Sequence, residues 1–148
     1  MKYKFIVLLL IAFSLTSCEQ KINYAGVFEI EALDDDTVCI CNTRRDYDSN
    51  RPHLSGIVRI PKTVYGRKVV KIGAKAFSEC NEVIEFIIPN TVRIIDEKAF
   101  ENCTSLRSVI FEEPSGWKAN SNNLTLTDPH QNALYLTTIY SLYTWQHE

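Results

Sequence analysis

The most chemically reactive side chains in this sequence are its cysteines. The 148 residues include five of them: Cys18 near the N-terminus, then Cys39, Cys41, Cys80 and Cys103. A thiol can be alkylated, joined in a disulfide or bound to a metal such as zinc. Which of these chemistries applies depends on the spacing of the cysteines and on the residues around them.

The spacing does not indicate a metal site. Cys39-x-Cys41 predicts two thiols on one face of a strand, but the sequence has only three His and no second Cys pair at zinc-finger spacing. The run Asp34-Asp35-Asp36 lacks the alternating ligands and the later bidentate Glu of a calcium loop, so we interpret it as a turn. We therefore predict no metal ligand.

No motif arranges a nucleophile, an acid–base pair or a cofactor. The patterns G-x-S-x-G, H-E-x-x-H, G-x-G-x-x-G, the P-loop and C-x-x-C are all absent from the sequence. We predict no catalytic residue and no cofactor, and we expect that this protein is not an enzyme.

Cys18 ends a segment with the pattern of an export signal. Lys2 and Lys4 form a short basic region, and residues 5–13 are an unbroken apolar run that is too short to span a bilayer. The following Leu15-Thr16-Ser17-Cys18 resembles the bacterial lipobox. The resemblance implies that the preceding segment is cleaved off and that the Cys18 thiol carries a diacylglycerol. The alternative is an ordinary signal peptide with a chance cysteine.

The lipobox resemblance also implies a location. Residues 1–17 would be the signal peptide, and residues 18–23 a lipidated tether to the bacterial envelope. The anchor is stable because each buried CH₂ of the acyl chains contributes about 0.8 kcal/mol. Glu19 stands where an Asp often signals inner-membrane retention in Gram-negative bacteria, so we expect the outer membrane. Both a periplasmic and a surface-exposed orientation fit this pattern.

A period of 23 residues organises the middle of the chain. Residues 69–80 read VVKIGAKAFSEC, and residues 92–103 read VRIIDEKAFENC. The match continues to residue 111, and it includes eight apolar or Cys positions in register. A degenerate earlier copy lies at residues 58–64, and five inserted residues, 65–69, separate it from the next. Such a repeat is typical of a solenoid.

Each repeat predicts one strand and one short helical turn. Residues 83–88 fit the leucine-rich strand pattern L-x-x-L-x-L, whose alternation turns Phe86 and Ile88 inward. Gly73 and Asp96 occupy the same place in the two copies, and both residue types suit a helix N-cap. We therefore expect a short helical turn after each of them.

The repeats resemble the BspA-type leucine-rich repeat family, whose motif reads I-G-x-x-A-F-x-x-C-x-x-L-x-x-I-x-I-P-x-x-V. The first copy follows this motif over residues 72–92, and the resemblance extends over residues 57–145. The second copy has Asp96 and Glu112 where Gly and Pro are usual. The resemblance implies a β-rich α/β repeat solenoid, with the repeats in residues 57–114. It also implies a role in adhesion to host proteins and other bacteria.

The terminal coils of a solenoid need covers for their apolar faces. We expect residues 24–56 to be the N-terminal cap, a β-hairpin that turns at the three aspartates, followed by a polar loop. We expect residues 115–148 to be the C-terminal capping segment, with Asp128 as the N-cap of a short helix. Trp117 and Trp145 are expected to cover the last coil; an aromatic platform for a carbohydrate is the alternative.

The repeat places Cys80 and Cys103 at equivalent positions of neighbouring coils. Stacked strands lie about 4.8 Å apart, whereas the Cβ atoms of a disulfide must approach to about 3.8 Å. Because the Cβ vectors at equivalent positions are parallel, a disulfide would need strain. We therefore expect two buried thiols rather than a disulfide.

The charge of the chain argues against one class of partner. The net charge is −2 for the whole sequence, and removal of Lys2 and Lys4 with the signal leaves 14 basic and 18 acidic residues. A net charge of about −4 does not favour binding to nucleic acid, which selects a basic surface.

The outward positions of the predicted strands are the candidate binding surface. A solenoid presents such positions as one extended face. We predict that a membrane-anchored module contacts a protein or glycan partner through Arg59, Ile84, Glu85, Ile87, Arg107, Ser108 and Ile110. The alternative function is a structural or accessory envelope lipoprotein with no ligand of its own.

Overall fold

The computed structural model describes residues 28–43 and 54–148. The expected signal peptide, Cys18 and its tether lie outside the described residues, as do residues 24–27 and 44–53 of the expected N-terminal cap. None of the described helices is long and apolar enough to cross a membrane.

The described chain is mainly strand. Its strands are β1 (Phe28–Ala32), β2 (Thr37–Thr43), β3 (Gly56–Arg59), β4 (Thr63–Val64), β5 (Arg67–Ile72), β6 (Val83–Ile88), β7 (Ile94–Ile95), β8 (Ser108–Phe111), β9 (Trp117–Ala119), β10 (Asn122–Asn123) and β11 (Trp145–His147). Helix α1 (Pro129–Leu134) continues into a π-helical turn, Tyr135–Ile139.

The strands form two sheets. The long sheet has the order β1-β2-β5-β7-β11-β9-β10, with β4 paired to β5, and the short sheet has the order β3-β6-β8. Each coil of the repeat adds one parallel strand to each sheet, so β5 pairs with β7 and β6 pairs with β8. The inward residues of both sheets belong to one hydrophobic core. The predicted short leucine-rich-repeat stack is confirmed.

The N-terminal hairpin covers the first coil. β1 and β2 are antiparallel, and β2 pairs in parallel with β5. One carboxylate oxygen of Asp34 accepts hydrogen bonds from the backbone N–H groups of Asp36 (2.9 Å) and Thr37 (2.7 Å), which close the turn. Hydrogen bonds from Thr37 and Asp36 lower the pKa of Asp34. The three aspartates therefore form a turn, as predicted, and no group of three or more potential metal ligands occurs in residues 28–43 and 54–148.

Phenylalanine rings form the centre of the core. Phe77 and Phe100 stack with ring centroids 5.3 Å apart and planes 14° from parallel. Phe86 contacts both rings at 5.0 Å, and Phe28 of the hairpin packs edge-on against Phe77 at 5.9 Å. The equivalent position in each repeat thus contributes to one continuous ladder, because a 23-residue coil returns the chain to the same depth.

The predicted helical turns after Gly73 and Asp96 are wrong: residues 74–79 and 97–102 are turns without helix. In each turn two residues take positive φ, near 58–60°, at Lys75, Glu79, Lys98 and Asn102. A helix would use the backbone N–H groups within its own turn. In the first turn those of Phe77 and Glu79 instead donate to the carbonyls of Ala99 (2.8 Å) and Glu101 (2.7 Å) in the next coil. In the second turn the N–H of Lys98 donates to the Ser141 carbonyl (2.6 Å) of the C-terminal segment. Bonds to neighbouring segments therefore replace the helix.

Gly73 and Asp96 accordingly are not helix N-caps. Their backbone N–H groups extend the strand ladder, donating to the carbonyls of Ile40 (2.7 Å) and Ile72 (2.9 Å). A Cβ at position 73 would lie 3.2 Å from the Ile40 carbonyl oxygen, so the close approach of β2 favours glycine. The next coil lies farther from the hairpin, and there the Asp96 carboxylate pairs with Lys71 at 2.8 Å.

The C-terminal segment covers the last coil. Trp117 and Trp145 are 2% and 1% exposed, and both pack against Phe111, at 5.3 and 6.2 Å between ring centroids. β11 pairs with both β7 and β9, so an antiparallel ribbon ends the long sheet. Asp128 caps α1 as predicted, accepting from the N–H groups of His130 and Gln131.

Among the described cysteines none forms a disulfide. Cys103 is buried, with its sulfur 3.1 Å from the Phe77 carbonyl oxygen, whereas Cys80 is only half-buried, not buried as expected. On the hairpin, Cys39 and Cys41 share a hydrogen bond that raises the pKa of the Cys39 thiol and lowers the pKa of the Cys41 thiol.

Candidate interaction surface

The short sheet assembles most of the predicted contact residues on one side. Its register aligns Ile57 with Glu85 and Ser108, and Arg59 with Ile87 and Ile110. The row between these two, formed by Val58, Phe86 and Val109, is buried. Because side chains alternate along a strand, the first two rows point away from the core. Ile84 lies outside these rows, at the register irregularity opposite the step from Gly56 to Ile57, and is exposed. We name Ile57, Arg59, Ile84, Glu85, Ile87, Ser108 and Ile110 the outer face.

The outer face is rich in exposed isoleucine. Ile57 is 64% exposed, Ile84 52% and Ile110 38%, while Ile87 between them is half-buried. Ile57 was not among the predicted contact residues. Its position two residues before Arg59, in the same strand alternation, is the signal that would have found it. Exposed aliphatic side chains on neighbouring strands of one sheet are a feature expected of a contact surface.

Polar side chains on this face bind one another. Ser108 donates to the Glu85 carboxylate at 2.6 Å, a contact between equivalent positions of neighbouring coils. Arg107 does not join them, since β8 begins only at Ser108. Its guanidinium donates instead to the carbonyls of Thr104 (3.2 Å) and Leu106 (3.3 Å). Arg107 was predicted to lie on the strand surface with Glu85, but the structure places it before β8 begins.

Glu112 connects three coils at the far end of this face. Its carboxylate binds Arg59 at 3.0 Å and Lys62 at 2.9 Å, and it accepts from the backbone N–H of Asn90 at 3.3 Å. The hydrogen bond from Lys62, together with that from Asn90 and the charge of Arg59, lowers the pKa of Glu112. The departure from the usual Pro at this position thus gives an anion that fixes Arg59.

Glu112→Gln should weaken folding at neutral pH and have little effect in acid. A carboxyl whose pKa is lower in the folded state stabilises the fold above its unfolded pKa, about 4.3, and loses that contribution as pH falls through the folded pKa. Because Arg59 and Lys62 are well exposed, we expect at most about 1 kcal/mol at pH 7. Urea unfolding at pH 7 and pH 3 measures the difference, with Glu82→Gln as a control for an exposed glutamate. A loss that is the same at both pH values would contradict this role.

The free edge of β8 is closed by side chains of α1. The amide nitrogen of Asn132 donates to the Val109 carbonyl at 2.9 Å and to the Leu126 carbonyl at 3.1 Å. His130 Nδ1 lies 2.7 Å from the Arg107 carbonyl oxygen. Both pairs are 23 residues apart, so the helix occupies the position that the strand of a further coil would take. The outer face therefore ends at β8, and its edge cannot pair with another strand.

The alternative of an aromatic platform at the C-terminus is not supported for the two tryptophans. Trp117 and Trp145 are buried, and their indole N–H groups donate to the carbonyls of Glu113 (2.9 Å) and Tyr140 (3.1 Å). Their faces pack on the core, so neither ring is open to a sugar.

Residues 57–127 match the protein family described as BspA type leucine rich repeat region (6 copies). Among solved structures, the chain is similar to a leucine-rich repeat protein of T. pallidum, with 26% identity over 58% of this chain and 37% of that chain, and a TM-score of 0.49. It is also similar to a leucine-rich repeat protein from Bacteroides capillosus ATCC 29799, with 29% identity over 60% of this chain and 64% of that chain, and a TM-score of 0.49. The chain thus spans less than two thirds of either solved protein. No curated protein matches it.

Proposed function

Because residues 57–127 are a BspA-type leucine-rich repeat region, we propose that this chain is an interaction module that binds a protein partner through its outer face. The observation that carries the proposal is the presence of three exposed isoleucines, Ile57, Ile84 and Ile110, one on each strand of the short sheet. Full burial of each would contribute about 1.5–3 kcal/mol. The face as defined contains no aromatic ring on which a sugar could stack, which favours a protein over a glycan.

The small size of the face sets the mode of binding. Three strands spaced about 4.8 Å apart give a surface far smaller than the roughly 800 Å² per partner of a standard protein interface. One copy would therefore bind weakly. Many copies held on one membrane would bind together with much greater avidity, which is the behaviour that adhesion requires.

We propose that the membrane attachment is the lipid on Cys18. The support is the lipobox resemblance of Leu15-Thr16-Ser17-Cys18 after a short apolar run. The tether that the sequence predicts comprises residues 18–23. Fully extended, six residues reach about 20 Å, at up to 3.6 Å per residue. The module could thus stand clear of the membrane to which it is anchored, in the envelope of a Gram-negative cell and on the outer membrane.

Cys18→Ala should abolish lipidation and leave the precursor uncleaved. Only the thiol at this position can accept the diacylglycerol that the lipoprotein peptidase requires. Metabolic labelling with a radioactive fatty acid, followed by fractionation of the envelope, measures both effects. Cys41→Ala serves as the control and should be labelled like wild type. Equal labelling of the Cys18 variant would overturn the anchor.

Removing the isoleucines should abolish binding and preserve the fold. In the Ile57→Ser/Ile110→Ser double variant the inward residues are untouched, so the melting temperature should stay within a few degrees of wild type. A photo-crosslinking residue at Ser108 would identify a partner from envelope or host extracellular fractions. The affinity of the double variant for that partner should fall at least tenfold. Burial of an isoleucine contributes about 1.5–3 kcal/mol, and a loss of about 1.4 kcal/mol weakens binding tenfold.

The matched control is Ile139→Ser/Leu142→Ser. These residues are 49% and 62% exposed, comparable to the pair on the outer face, but they lie in the C-terminal segment. Their replacement should leave the affinity unchanged. Equal losses in the two double variants would mean that general hydrophobicity drives capture. If no partner is crosslinked, the accessory envelope role with no ligand becomes the better account.

A further inference from the structure

A groove opens at the end of the repeat stack, apart from the outer face. It has a volume of about 500 Å³ and lies between the turn of the last coil and the C-terminal helix. The turn contributes Thr104 and Arg107, among others, and α1 with its π-helical continuation contributes His130, Leu134 and Thr137. This volume is within the range of sites that bind small molecules or short peptides.

The charge of the groove selects an anion. Its lining contains the guanidinium of Arg107 and no Asp or Glu, although acidic residues outnumber basic ones in the chain. One guanidinium nitrogen of Arg107 donates to the carbonyls of Thr104 and Leu106. These bonds orient the guanidinium and leave its remaining N–H groups for a carboxylate, which it can bind with two parallel hydrogen bonds.

His130 supplies a second contact. A carbonyl oxygen can only accept, so Nδ1 of His130 carries a proton in its 2.7 Å contact with the Arg107 carbonyl. In the neutral imidazole the other ring nitrogen, Nε2, is then an acceptor. An acceptor in the same groove as a carboxylate-binding guanidinium matches the last N–H of a peptide chain, which lies next to the terminal carboxylate.

The remaining wall of the groove is aliphatic. Leu134 is 46% exposed although it lies in a helix that packs on the core, and Leu106 and Ala133 lie beside it. The groove lining contains no Phe, Tyr or Trp ring on which a sugar could stack, which argues against an acidic sugar. An aliphatic side chain on the last residue of a peptide would remove the surface of Leu134 from water.

We propose that this groove binds the free carboxyl terminus of a peptide whose last residue is aliphatic. Arg107 pairs with the carboxylate, His130 Nε2 accepts the last backbone N–H, and Leu134 packs against the last side chain. The site goes beyond the proposed binding by the outer face, and it does not depend on the isoleucines there.

Fluorescence anisotropy with the full chain in detergent tests the site. The probe is a labelled hexapeptide, Gly-Ser-Gly-Ser-Ala-Leu, with a free carboxyl terminus. Its C-terminal amide should bind at least tenfold more weakly, and peptides that end in Asp or Lys should also bind more weakly. Failure of the Leu-terminated acid to bind at millimolar concentration would overturn the proposal. So would equal binding of acid and amide, or equal competition by a glucuronate disaccharide.

Two arginines allow a matched comparison. Arg93 donates to the carbonyls of Asn90 and Val92 in the same pattern as Arg107, but it does not line the groove. Arg107→Gln should lower peptide affinity at least tenfold, Arg107→Lys less, and Arg93→Gln not at all. Unchanged affinity in Arg107→Gln would overturn the proposal.

Two further variants separate this site from other effects. If Arg107→Gln disturbs the fold, Leu134→Ser tests the groove from its other wall and should also reduce affinity. The Ile57→Ser/Ile110→Ser variant should bind the probe like wild type. Loss of probe binding in that variant would place the peptide on the outer face and overturn the groove site, while leaving the proposed function intact.

Discussion

Phe100→Ala is expected to lower the free energy of unfolding by about 3–5 kcal/mol, through the lost transfer of the ring and the cavity it leaves. Phe100 is fully buried and contacts Phe77 at 5.3 Å and Phe86 at 5.0 Å. It therefore joins the turns of the two coils and packs them against the short sheet. Since domains have a net stability of only about 5–15 kcal/mol, the variant should be close to unfolding at 37 °C.

The shift in the urea midpoint measures this loss. Leu142→Ala is the control: Leu142 is 62% exposed, and its truncation should change stability by less than about 0.5 kcal/mol. An unchanged midpoint in Phe100→Ala would mean that this ring does not form part of the core.

Asn132→Asp is expected to lower stability by at least about 3 kcal/mol. Asn132 is completely buried, and its amide nitrogen serves two backbone carbonyls, those of Val109 and Leu126. The nearly isosteric carboxylate has no donor, so both carbonyls lose their partner at about 1–3 kcal/mol each. Burial of the negative charge beside two carbonyl oxygens adds to the cost. Asn132→Ala should be less damaging, because it brings in no charge.

Thermal unfolding of the two variants, with Asn123→Asp as an exposed control, measures the difference. Freed from its cap, the edge of β8 should also pair with other strands, so we expect concentration-dependent association in Asn132→Asp. A melting temperature equal to wild type would show that the Asn132 amide is dispensable, and that water can satisfy these carbonyls.

The 23-residue spacing by itself determines the coil and its inward face. Phe77 and Phe100, Phe86 and Val109 recur in register, and the structure places all four in the core. The family prediction is confirmed on the same residues. The hairpin before the repeats and the helix N-cap at Asp128 are also predicted correctly, because turn residues and caps act through neighbours in the chain. The hairpin turn and the N-cap depend on contacts between residues that are close in the chain, and the types and order of those residues determine such contacts.

Only the tertiary structure decides which groups bind between coils. The predicted helical turns do not form: the N–H groups of Phe77 and Glu79 bind carbonyls in the next coil, and that of Lys98 binds the Ser141 carbonyl in the C-terminal segment. Asp96 and Glu112, which appear in the sequence as departures from a motif, become partners of Lys71 and of Arg59 and Lys62.

The contacts that end the stack could not be predicted from the sequence either. α1 takes the place of a further strand and satisfies β8 with side chains rather than with backbone, and the hydrogen-bond partner of Glu85 is Ser108 of the next coil. Each of these contacts joins residues that are distant in sequence and whose types do not specify a partner. Their choice follows from which hydrogen-bonding groups remain unsatisfied once the coils have stacked.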